Sequence, residues 1–306
     1  MNGRPKREAT TIMRVLLATD GSKDARAAAA FLKELPLPQS TAVKIAVVVT
    51  LPSFALDAPA IREFKRSALD EARSIVDGAR AALAPRGLPI ETDIAVGDAK
   101  TEIVRMAEES EAGLVVLGAR GLGPIKRFFL GSVSQSVARH APCPVLVVKG
   151  QPGRPRNVLV AMDGSEDSVE AVRFVESLSL PRQTKLRLLS VVEPIRYPAS
   201  APQALRARLV RIIRELEAER RGELEKVLER TARQLDEKIT RVSRSTPTGD
   251  PASEILATAA RYDTDLIVVG ARGLGGMARL LLGSVSEKVL RHAWCPVLIV
   301  KRRSGA

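Results

Sequence analysis

The chain has 306 residues and a formal net charge of +13, and it is 45% hydrophobic but only 3% aromatic, with two cysteines. That length suits two domains of ordinary size, and two cysteines exclude a disulfide scaffold and fit a reducing compartment. No apolar run approaches the ~20 residues of a membrane span, Met1–Thr11 lacks the apolar centre of a signal peptide, and the scarcity of aromatics with no long basic tract argues against nucleic acid as partner. The expectation is a cytoplasmic protein with no membrane partner.

Both halves alternate apolar strands with helices. The run Arg14-Val-Leu-Leu-Ala-Thr ends at Asp20-Gly-Ser, and Asn157-Val-Leu-Val-Ala-Met ends at Asp163-Gly-Ser. Asp and Gly form a turn there, and Ser is placed to cap a helix. These helices are predicted over Lys23–Leu35 and Glu166–Leu178, with Pro36 and Pro181 beyond their ends. Second strands follow at Val43–Thr50 and Leu186–Val192. A long amphipathic helix comes next in each half. In the first, Ile61, Phe64, Ala68, Ala72, Ile75, Ala79 and Leu83 share one face. In the second it is longer, Leu205–Lys238, with Arg and Glu at i,i+4 spacing on its polar face.

Third strands are predicted at Glu91–Val96 and Ile239–Arg244, and helices at Thr101–Glu108 and Ala252–Ala260. The fourth strands, Leu114–Leu117 and Leu266–Val269, are wholly apolar, as strands buried on both faces are. Each runs into a glycine loop, a helix (Ser132–Arg139, Ser284–Arg291) and a last strand (Val145–Val148, Val297–Val300). The repeated βαβ pattern predicts an α/β chain of two tandem, doubly wound, parallel five-stranded sheets, Rossmann-like, in domains 1–150 and 151–306. Such sheets bind ligands at the carboxyl ends of their strands.

The glycine loops are the best-preserved part of the repeat. Of the 32 positions Gly118–Lys149, 22 are identical in Gly270–Lys301. Gly118, Gly121, Gly131 and Ser132 recur as Gly270, Gly273, Gly283 and Ser284. Gly118 and Gly121 are expected to let the backbone approach a ligand and to adopt positive φ. Gly131 and Gly283 precede a helix whose free N–H groups can receive phosphate oxygens, with Ser132 and Ser284 adding a hydroxyl. Ser134 and Ser286 read as plain helix residues. The spacing is neither a Walker A loop nor the dinucleotide fingerprint. Arg120, Arg127, Arg272 and Arg279 read equally as phosphate clamps or exposed loop residues, and Lys126 has no counterpart, since Ala278 replaces it. His140 and His292 fit helix C-termini. Cys143 and Cys295 read as small buried thiols.

An aspartate ending the first strand, a G-xx-G-x9-G-S loop and a closing C-P-V-L strand together resemble the universal stress protein family, in its ATP-binding, tandem-domain form. The resemblance covers Met13–Lys149 and Asn157–Lys301. It implies that Asp20 and Asp163 contact the nucleoside and that Val49 and Val191 pack on adenine. Leu117, Gly118, Val269 and Gly270 would lie beside the ribose. Gly121, Gly131, Ser132 and Val133, with Gly273, Gly283, Ser284 and Val285, would hold the phosphates. The implied ligand is ATP, with Mg or Mn bound through its phosphates. The implied role is a nucleotide-linked regulator of stress response or growth arrest, with no catalytic residue assigned. Slow ATP hydrolysis or phosphoryl transfer, a scaffold with vestigial sites, and a cyclic-nucleotide binder stand as alternatives. The final strands are expected to pair within the chain as a pseudo-dimer, and a homodimer stays open.

Overall fold

A computed structural model describes residues 12–51, 59–122, 130–196, 203–236, 239, 241–274 and 281–302. The first half runs β1 (Met13–Ala18), α1 (Lys23–Glu34), β2 (Thr41–Val49), α2 (Pro59–Leu83), β3 (Ile90–Val96), α3 (Ala99–Glu109), β4 (Leu114–Gly118), α4 (Ser132–His140) and β5 (Val145–Val148). The second repeats it as β6 (Asn157–Ala161), α5 (Glu166–Ser177), β7 (Lys185–Leu189), α6 (Gln203–Asp236), β8 (Arg241–Ser245), α7 (Pro251–Arg261), β9 (Leu266–Gly270), α8 (Ser284–His292) and β10 (Val297–Val300).

Within each half the five strands are parallel, in the orders β3-β2-β1-β4-β5 and β8-β7-β6-β9-β10. The halves do not remain two sheets. β5 and β10 pair antiparallel, with Leu146 opposite Leu298, so one ten-stranded sheet crosses the molecule. Helices cover both faces, as the βαβ pattern predicts. One buried layer draws on α1, α2, α5 and α6, and the other on α3, α4, α7 and α8. Each layer continues across the β5–β10 seam, because Leu146, Val148, Leu298 and Val300 point into one and Val145, Val147, Val297 and Ile299 into the other.

The seam is also held by polar contacts that the sequence reading did not anticipate. Lys149, just past β5, donates Nζ to the carbonyls of Leu290 (2.5 Å), Arg291 (3.2 Å) and Ala293 (2.8 Å), at the C-terminus of α8. Lys301, just past β10, donates to Arg139 and Ala141 (both 2.9 Å), at the C-terminus of α4. Each lysine thus satisfies carbonyls that a helix end leaves without partners, and adds a cation at its negative pole. Burial lowers the pKa of both ammonium groups to about 8. Glu287 of α8 joins the same seam, accepting from Gln135 (2.9 Å) and Arg139 (3.2 Å) of α4.

Candidate functional site

The two Asp-Gly-Ser turns fold as the sequence predicts. Gly21 and Gly164 take φ of 71° and 86°, a left-handed backbone that glycine adopts without a Cβ penalty. Ser22 caps α1 by accepting from the Ala25 N–H at 3.2 Å, and donates its hydroxyl to the Arg120 carbonyl at 3.1 Å. Ser165 repeats both bonds, from the Ser168 N–H (3.3 Å) and to the Arg272 carbonyl (3.1 Å). The cap therefore also ties the first strand's turn to the glycine loop.

Asp20 and Asp163 are brought against that loop. Asp20 accepts from the backbone N–H of Ser22 (3.0 Å) and of Leu122 (3.2 Å). Asp163 accepts from Ser165 (2.9 Å) and Leu274 (2.9 Å). A Cβ on Gly121 would lie 2.5 Å from Asp20 Oδ2, and one on Gly273 would lie 2.6 Å from Asp163 Oδ2. A side chain at either glycine would therefore displace the aspartate carboxylate from its place on the loop.

Two expectations change at the loop. Gly118 and Gly121 do not have positive φ. Gly118 also serves helix packing: a Cβ there would lie 2.5 Å from the Asp24 backbone carbon, and one on Gly270 would lie 2.8 Å from that of Asp167. The fourth strand passes against the first turn of α1 or α5 so closely that only hydrogen fits. Ser134 and Ser286 are more than plain helix residues. Ser134 Oγ lies 2.8 Å from the Gly118 carbonyl and 3.0 Å from that of Ala119, and Ser286 Oγ lies 2.5 Å from that of Gly270. They fasten the helix start to the strand end. Arg120 and Arg272 pair with the buried carboxylates of Asp24 (2.7 Å) and Asp167 (3.1 Å), so they anchor the loop, and Arg120 also lines the cavity described below. Asp24 and Asp167 were missed because, in sequence, they are one more acid in a helix's first turn. Arg127, Arg279, Lys126 and Ala278 lie outside the described residues.

A cavity of about 290 Å³ opens at the carboxyl ends of β1, β2 and β4. Asp20, Leu117, Gly118, Gly121, Gly131, Ser132 and Val133 line it, as do Ala46, Val48, Ala99 and Ile103. Gly131 gives α4 no side-chain cap, and Gly283 gives α8 none. The first-turn residues of α4 therefore border the cavity with no side-chain cap from the N-cap position.

Val49 does not line this cavity. Strand side chains alternate between faces, and Val49 points into the opposite layer with Val47, while the half-buried Val48 faces the cavity layer. The register sets Ala18 opposite Ala46 and Ala161 opposite Leu189, so Val48, and not Val49, corresponds to Val191. Val191 does face that layer in the second half. The expectation for Val49 is thus one residue out of register with that for Val191, and one residue along a strand exchanges one face for the other.

His140 Nδ1 lies 2.8 Å from the Ser136 carbonyl, one turn back on α4. Cys143 and Cys295 are buried, and burial pushes the Cys295 thiol up to about 12, so it stays protonated. Among the described residues, no three His, Cys, Asp or Glu side chains cluster to hold a metal ion, and no helix is long and apolar enough to cross a membrane.

Comparisons with known proteins agree with this architecture. The model of the universal stress protein family matches residues 11–149 and again residues 155–301. Universal stress protein YxiE of Bacillus subtilis is 35% identical over 144 residues, which are 47% of this chain and 97% of that one. Universal stress protein Rv2005c of Mycobacterium tuberculosis is 31% identical over 250 residues, covering 76% of this chain and 78% of that one. Among solved structures, a universal stress protein from Archaeoglobus fulgidus superposes with a TM-score of 0.65 at 23% identity, over 94% of this chain and 98% of that one. That likeness concerns the fold alone. Two matches in series, on two copies of one strand order, lead to one conclusion: this chain belongs to the universal stress protein family and carries two of its domains in tandem.

Proposed function

We propose that each half binds one adenine nucleotide, ATP foremost, and that the chain acts as a nucleotide-linked regulator in stress response or growth arrest. The observation that carries this reading is the N-terminus of α4, without a side-chain cap, opening on a cavity that Asp20 also lines. Helix N–H groups suit phosphate oxygens, and Gly131, Ser132 and Val133 supply that end, as Gly283, Ser284 and Val285 do in the second half. Apolar Val48 and Val191 suit the face of a base, in place of the Val49 of the sequence reading. Leu117 with Gly118, and Val269 with Gly270, would flank the ribose. Asp20 and Asp163 keep acceptor capacity beyond their two N–H bonds for a nucleoside group. Mg or Mn would accompany the phosphates.

The site is built for holding the nucleotide. Phosphoryl transfer needs a positioned base and metal-holding carboxylates near the reacting phosphate. Among the described lining residues Asp20 is the one carboxylate, and two backbone N–H groups fix it at the loop. To test the reading, the purified protein is denatured and the released small molecules are identified by mass. Two adenine nucleotides per chain, or two ATP taken up on titration of the stripped protein, is the expected result. A protein that releases none and takes up none is a scaffold, and the reading fails.

A further inference from the structure

The two halves share their loops, but one wall of the site differs. Ala46 of β2 lines the first-half cavity. The register places Leu189 of β7 at the corresponding point of the second half, as deeply buried as Ala46 (each 1% exposed) and packed in the same layer as Ile255 and Val269. A methyl group in one half is an isobutyl group in the other. A second change falls on the helix that faces this strand. Ala99, which opens α3 and lines the cavity, is replaced by Pro251, which opens α7. Both changes add side chain to the wall between the second strand and the third helix of the half. Ile103 and Ile255, further along those helices, are the same residue.

On the reading above, the base packs on Val48, and Ala46 is the next residue inward on that face of β2. At this point of the wall the first half has a methyl group and the second an isobutyl group, so a base on Val191 has less room inward than one on Val48. We infer that the first half accepts adenine nucleotides enlarged on the base, that the second half rejects them, and that Ala46 and Leu189 determine this difference. This rests on the nucleotide reading and goes beyond it. Packed interiors do not yield to an overlapping side chain, and a few carbon atoms in an apolar pocket discriminate by about 10–200-fold.

The test titrates the full chain with ATP, N6-benzyl-ATP and a 2-alkylthio-ATP, reading bound ligand per chain by native mass spectrometry. ATP should bind at two per chain, and at least one of the enlarged analogues at one, with the other half more than about tenfold weaker. Ala46→Leu should remove that analogue site, and Leu189→Ala should raise analogue binding to two. Circular dichroism checks that each variant is folded, and if one is not, the other decides. Analogues that bind at two or at none in the wild-type chain, or a folded variant that leaves the count at one, overturn the inference while ATP binding stands. ATP bound at fewer than two sites overturns the underlying reading, and this inference with it.

Discussion

The two halves of this chain are alike at the loop and unlike at the wall behind it. Gly118, Gly121, Gly131 and Ser132 have identical counterparts, down to the hydrogen bonds that Asp20 and Asp163 make with the loop backbone. Behind the loop, Leu189 stands in the second half where the first has Ala46, and Pro251 where the first has Ala99. The shared parts either hold phosphate in the proposed site or hold the loop in shape. The parts that differ bound the space where a base would lie. Duplication has thus kept the anchor and varied the pocket.

The largest effect should come from the tightest packing. Gly118→Ala forces a Cβ into the Asp24 backbone, and Gly270→Ala does the same at Asp167 with slightly more room, 2.8 against 2.5 Å. Each should cost about 1–3 kcal/mol or more in chemical denaturation, the first-half change being the worse. Unaltered stability in both would show that these glycines are kept for a ligand instead.

The register difference between Val48 and Val49 gives a contrast within one strand. Val49→Ala removes core volume and should lower stability by about 1–3 kcal/mol. Val48→Ala should leave stability nearly unchanged and weaken ATP binding by several-fold. The reverse pattern would restore the sequence-derived alignment.

The seam lysines supply a smaller, pH-dependent effect. Lys149→Met strips three carbonyl contacts and Lys301→Met strips two, each at about 1–2 kcal/mol. Both ammonium groups fall to about 8 in the folded chain, from an ordinary 10.5. Between those values the unfolded chain binds more protons, so the lysines' contribution to stability rises with pH. The wild-type chain should therefore gain on the Lys149→Met/Lys301→Met double variant between about pH 8 and 10.5, in melts at several pH values. A constant difference across that interval would mean that burial does not depress these groups.

Much of this was legible in the sequence. The period of the strands, the Asp-Gly-Ser caps and the two glycine loops led to the correct layers and to helices within one or two residues of their ends. What stayed hidden were quantities that depend on three-dimensional approach. Val48 and Val49 are the same residue type, so nothing in composition tells which faces the cavity, and only pairing with β1 decides. Gly118 reads as a ligand glycine because the helix turn it touches lies about a hundred residues away in the chain. Lys149 and Lys301 look like basic strand ends until the antiparallel β5–β10 pairing carries each to the other half's helix. Asp24 and Asp167 have no local signal either, since their partners, Arg120 and Arg272, arrive with the loop.

The claim that each half holds its own nucleotide is tested most directly by counting. Equilibrium dialysis with labelled ATP should give two per chain for the wild type, one for Asp20→Ala, one for Asp163→Ala and none for the double variant, with all four folded. Two ATP retained by the double variant would contradict it, because the nucleotide would then sit away from both strand ends.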